Sequence, residues 1–134
     1  MGIEDEHAVE TFKSIQVISL AGLKLLALFN GGAVVALLAY LGNIAGKSIV
    51  VPDMRLPMRL YLLGLVACGL AFLAGYVTQS ILYRESMGWT SRGRHVISQV
   101  AGILLALLSL LSFAVASYEA ASRFPVASCI DGAV

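Results

Sequence analysis

Gln16, Ser19, Asn30, Gln79 and Gln99 are the residues of this sequence whose types and spacing allow chemistry, and that chemistry is hydrogen bonding within apolar surroundings. Fourteen helical residues at about 100° each bring Asn30 back to within about 40° of Gln16, so Gln16, Ser19 and Asn30 share one face. Leu23, Ala27, Val34 and Leu37 complete it. Thr78, Gln79 and Ser80 close a second apolar run, and Ser98 and Gln99 open a third. In lipid, polar groups of this kind bond across helices, at about 0.6–2 kcal/mol each. The alternative is that they line a hydrated path, as polar rings do in small pores. On the residues alone, both readings stay open.

Groups that could carry a reaction are missing from the pattern. His7 and His95 stand far apart without Cys, Asp or Glu at metal-ligand spacing, so no metal is expected. His95, beside Arg94, reads as a solvated interface residue. Cys68, inside an apolar run, reads as a small packing residue, and Cys129 is a tail thiol without an evident role. No nucleophile elbow or phosphate-binding glycine loop occurs. No acidic residue falls inside a span, which argues against a proton relay or a cation-coupled transporter. Neither catalysis nor a cofactor is expected, and the net charge of +1 points to no nucleic-acid partner.

The elements that must position these residues follow from hydropathy. Of 134 residues, 59% are hydrophobic and only 13% charged, with a mean hydropathy of +0.88; soluble domains run near 25% charged. The expected fold class is therefore all-α and integral to a membrane, with three transmembrane helices. About 20 apolar residues cross the hydrocarbon core, and the runs at about 15–45, 60–83 and 96–118 each suffice. Residues 1–14 form a polar, helical N-terminal extension, 15–124 the membrane domain, and 125–134 a flexible tail. The acidic start (Glu4, Asp5, Glu6, Glu10) is the opposite of a signal peptide's positive n-region. Pro52 and Pro57 are expected to break the helix in the first loop.

Small residues recur at helical spacing: Ala67, Ala71 and Gly75 in the second span, Ser98, Gly102 and Ala106 in the third, and Gly31 and Gly32 in the first. Such stripes let helices approach closely. Their number exceeds what one three-helix subunit needs, which points to a homo-oligomer. Lys13, Lys24, Arg84, Arg92 and Arg94 gather on the N-terminal side of the membrane, against Lys47, Arg55, Arg59 and Arg123 on the other. Five against four leans toward a cytoplasmic N-terminus in the cell inner membrane. On that side a salt-sensitive contact between Glu4, Asp5, Glu6 or Glu10 and Arg84, Arg92 or Arg94 could set a resting state or receive a cytosolic protein partner or signal.

The segment Phe29-Asn30-Gly31-Gly32-Ala33-Val34-Val35-Ala36-Leu37-Leu38 resembles a pattern in small bacterial multi-span membrane proteins, N-G-G-A-x-x-A-L-L within the first span. The resemblance covers about a tenth of the chain and implies a bacterial or phage-related setting without a defined activity. In size and span count the chain also resembles holins and the membrane effectors of antiphage systems, although it lacks the basic C-terminal tail frequent in holins.

The resulting expectation is a small oligomeric pore-forming or membrane-perturbing protein, in the manner of an antiphage defence effector. Asn30, with Gly31 and Gly32, would mark the constriction or a helix interface, and Gln16, Ser19, Gln79 and Gln99 the wider mouth. The alternative is a non-catalytic accessory or anchor subunit of a larger membrane complex.

Overall fold

The computed structural model describes residues 3–47, 52–89 and 93–123. They form three helices: α1, Ile3–Ile44; α2, Arg55–Ser86; and α3, His95–Arg123. Each is long and apolar enough to cross a membrane. At 1.5 Å per residue they measure about 63, 48 and 43 Å. The N-terminal extension and the first span are thus one continuous helix, and Gly31-Gly32 lies inside it without a break. The expected flexible tail lies outside the described residues.

Polar punctuation follows α1 and α2. Gly46, with φ +82°, follows the end of α1, a left-handed position that glycine adopts without steric cost. After α2 the Gly88 N–H donates to the Glu85 carbonyl at 3.1 Å, and the Trp89 N–H to the Arg84 carbonyl at 3.0 Å. With Gly88 at φ +74° these two bonds make a Schellman C-cap. Pro57 does not break a helix: α2 starts at Arg55, before it. In the first turn, a proline's missing N–H removes no helical bond. The Asp53 carboxylate caps this start, its Oδ1 accepting the Arg55 N–H at 3.0 Å.

The chain runs up, down and up. α2 and α3 form an antiparallel hairpin in contact over its whole length, from Glu85–His95 at one end to Tyr61–Ser117 at the other. Small residues make this approach possible. A Cβ on Gly102 would lie 3.4 Å from that of Ala74 and 3.6 Å from the Ala71 carbonyl oxygen. Ala67, Ala71, Ser109, Ser112, Ala116 and Ala120 are buried along the same seam. The small stripes of the second and third spans are thereby largely used within the subunit.

α1 lies on this hairpin through its C-terminal half only. Leu37 joins Met54, Tyr61 and Ala116 in the core, flanked by Val34, Leu41 and Phe113. The Phe29 and Phe113 rings stack at 5.6 Å. The contact reaches Leu23, whose carbonyl accepts the Cys68 thiol at 3.2 Å. Beyond that, from Val9 to Leu20, α1 is exposed on every side.

Candidate functional site

The three helices meet at Asn30, which is completely buried. Its amide nitrogen donates to the Leu26 carbonyl at 3.0 Å and to Ser109 Oγ of α3 at 3.2 Å. Both amide hydrogens are thus used, one within α1 and one across to α3. The remaining face of the amide presses on α2. A Cβ on Gly64 would lie 2.8 Å from Asn30 Cγ and 3.1 Å from Nδ2, and Oδ1 occupies the space such a carbon would need. Gly64 is therefore the position that lets α2 close over the amide. Oδ1 has no hydrogen-bond donor. What it meets is the bare Cα of a glycine, the weak C–H donor used at close helix contacts.

Two smaller polar ties flank this junction on the α2–α3 seam. Ser117 Oγ donates to the Phe113 carbonyl at 2.8 Å, which leaves the Tyr61 hydroxyl as donor in its 3.0 Å bond to Ser117. Toward the other end, the Thr78 and Ser98 hydroxyls are 2.8 Å apart. Each tie joins two helices where the surroundings are apolar, so breaking one leaves a polar group without water to take its place. Together with Asn30–Ser109 they fix the register of the bundle.

The other sequence-predicted residues lie apart from this junction. Gln16, Ser19, Gln79 and Gln99 are exposed, Gly31 is half-buried, and Gly32 is exposed with open space where a Cβ would be. Gln16 and Ser19 continue the face of α1 that carries Asn30, but past the last contact with the hairpin. Of the charged group, Glu10, Arg84 and Arg94 are exposed and take part in no ion pair among the described residues. The side chains of Glu4, Asp5 and Glu6, and all of Arg92, lie outside the described residues. Among the described residues the close opposite-charge contacts are Glu119–Arg123 at 3.2 Å and Glu85–His95 at 2.9 Å, the latter an ion pair when the imidazole is protonated. Glu85 also accepts the Arg94 N–H at 2.9 Å through its other oxygen, which clamps the start of α3 to the end of α2. His95 is thus tied to Glu85 by a side-chain hydrogen bond and not simply a solvated residue.

Sequence reasoning singled out neither Gly64 nor Ser109. A signal for Gly64 existed: it stands seven residues before Ala71, two helical turns along the same stripe. Ser109 carries a similar signal, seven residues after Gly102, but it is one of five serines on α3, with Ser98, Ser112, Ser117 and Ser122. Among the described residues no group of three or more His, Cys, Asp or Glu could hold a metal ion. The arrangement offers hydrogen bonding and close packing, and no nucleophile placed beside a base. Comparison with protein-family models, with curated proteins and with solved structures finds no match to this chain.

Proposed function

We propose that this is a non-enzymatic membrane protein that works by association within the bilayer, assembling with copies of itself into a pore-forming or membrane-perturbing oligomer. One observation carries the reading. The face of α1 that packs on the hairpin as far as Leu23 runs on as Gln16 and Ser19, on a stretch of helix that is exposed on every side among the described residues. A second copy, or water held between copies, satisfies such groups at low cost, whereas hydrocarbon does not. Gly32 and Ala36, exposed one turn apart on the outer side of α1, supply a close-contact surface for the same purpose. Asn30 then acts as the internal fastener of each subunit, and the wider mouth falls to Gln16, Ser19, Gln79 and Gln99. A bacterial inner membrane with the N-terminus in the cytoplasm, and a part in antiphage defence, complete this reading.

A second reading, a non-catalytic accessory or anchor subunit, is favoured by the burial of Asn30. At its level, within one turn on each helix, no described polar side chain faces outward. Inducible expression in bacteria with a potential-sensitive dye separates the two. On the pore reading the wild type depolarises cells, and Gln16→Leu combined with Ser19→Ala weakens the effect at equal membrane content. An unchanged potential at high wild-type expression overturns it in favour of the accessory subunit.

A further inference from the structure

The end of the bundle at the first loop holds cations that the described residues do not neutralise. Lys47, Arg55, Arg59 and Arg123 gather there, where α1 ends, α2 begins and α3 finishes. Arg123 is spoken for: it pairs with Glu119 at 3.2 Å and donates to the Asp53 carbonyl at 2.7 Å. Lys47 Nζ reaches Asn43 Oδ1 at 3.0 Å. Asp53 is the one other carboxylate described at this end, and its Oδ1 is taken up in capping α2. Arg55 and Arg59 are both exposed, and neither guanidinium has a partner among the described residues. Four residues apart, they stand on one face of α2.

Both arginines line an open groove of about 720 Å³. Its remaining walls are Leu41 of α1 with Pro52, Asp53, Met54 and Met58, so one part is apolar and the other cationic. This split matches a particular ligand chemistry. Guanidinium forks bind phosphate oxygens in pairs, and an apolar wall running from them along a span-length helix suits a hydrocarbon chain. The ends of membrane helices are also where headgroup phosphates lie.

We propose that this groove binds one anionic phospholipid, its phosphate held by Arg55 and Arg59 and an acyl chain laid along Leu41 and Met58. The proposal needs only that the chain spans a bilayer, and it is independent of pore formation. Among the described residues at this end, three cations (Lys47, Arg55, Arg59) against one carboxylate (Asp53), once the Glu119–Arg123 pair is set aside, favour an anionic over a zwitterionic headgroup.

The test uses the full chain, purified in detergent and reconstituted in nanodiscs of phosphatidylcholine doped with phosphatidylglycerol, with retained lipid read by native mass spectrometry. Wild type is expected to retain phosphatidylglycerol selectively, with roughly five-fold weaker retention for each arginine removed in Arg55→Gln and Arg59→Gln. Both positions are exposed, and circular dichroism checks that the helices persist in each variant. Leu41→Trp, which fills the apolar wall and leaves both arginines, is expected to weaken retention as well. Arg84→Gln with Arg94→Gln, at the opposite end, is expected to leave it unchanged. Retention insensitive to Arg55 and Arg59, or lost equally in the opposite-end variant, overturns the site. Displacement of the lipid by excess inorganic phosphate, with Leu41→Trp silent, overturns the lipid in favour of a plain phosphate site.

Discussion

Replacing Gly64 by alanine adds one methyl group at the most crowded point of the bundle. The new carbon would stand 2.8 Å from Asn30 Cγ and nearer still to Oδ1, well inside van der Waals contact. The obstacle is no floppy chain end, because the Asn30 amide is held by Leu26 at 3.0 Å and Ser109 at 3.2 Å. Two responses are open. The amide can swing away, losing an interhelical bond of about 0.6–2 kcal/mol and stranding buried polar atoms at about 1–3 kcal/mol. Alternatively α1 can retreat from α2, at the usual overpacking cost of about 1–3 kcal/mol. Alanine's better helix propensity returns about 0.5–1 kcal/mol. A net loss of about 2 kcal/mol is expected for Gly64→Ala. Gly69→Ala is the control, since nothing lies within 4 Å of where its Cβ would be. Reversible unfolding in mixed detergent micelles measures both. The decisive variant is the double substitution Gly64→Ala with Asn30→Ala. Removing the amide empties the space the methyl needs, so the double variant should be more stable than the sum of the single losses, by about 1 kcal/mol or more. Gly64→Ala as stable as Gly69→Ala, or strict additivity in the double variant, would refute the reasoning.

Two further outcomes probe the hairpin. At Gly102 a Cβ would meet Ala74 at 3.4 Å and the Ala71 carbonyl at 3.6 Å, ordinary contact distances. Gly102→Ala should therefore change stability by less than about 1 kcal/mol, whereas Gly102→Leu should cost about 1–3 kcal/mol by wedging the seam apart; the same unfolding assay distinguishes them. At the loop end, Glu85→Ala removes both the acceptor for the Arg94 N–H and the partner of His95. Hydrogen exchange at Arg94 should accelerate, with no change at Val115 deep in α3.

The predictions differ in how far the sequence anticipates them. Gly102 belongs to a small-residue stripe that helical spacing alone reveals, and its partner surface on α2, around Ala71, is a stripe of the same kind. Packing two such stripes is the natural outcome for adjacent spans joined by a short loop. Asn30 also stands out, as an amide in the middle of a run of apolar residues. Its partner is another matter. Hydrogen bonding from Asn30 to Ser109 links residues 79 apart in the chain, and no local spacing relates them. The excess of small residues that pointed to self-association also looks smaller once α2 and α3 have consumed theirs; Gly32 and Ala36 remain exposed. Pro57 shows the limit of reading proline as punctuation. Placed in the first turn of α2, it is compatible with the helix that it was expected to interrupt.

By itself the sequence determined the number of helices long and apolar enough to span a membrane, the helical class and the chemical character of each helix end. These depend on how many consecutive residues lipid will accept and where charges demand water, both of which are additive along the chain. Tertiary structure alone decided which way Asn30 faces. Lipid tails are as apolar as leucine, so hydropathy does not distinguish a surface that meets lipid from one that meets another helix. Only the crossing of α1 over the hairpin, with Gly64 leaving room and Ser109 supplying an acceptor, turns a lone mid-span amide into the point where three helices are fastened together.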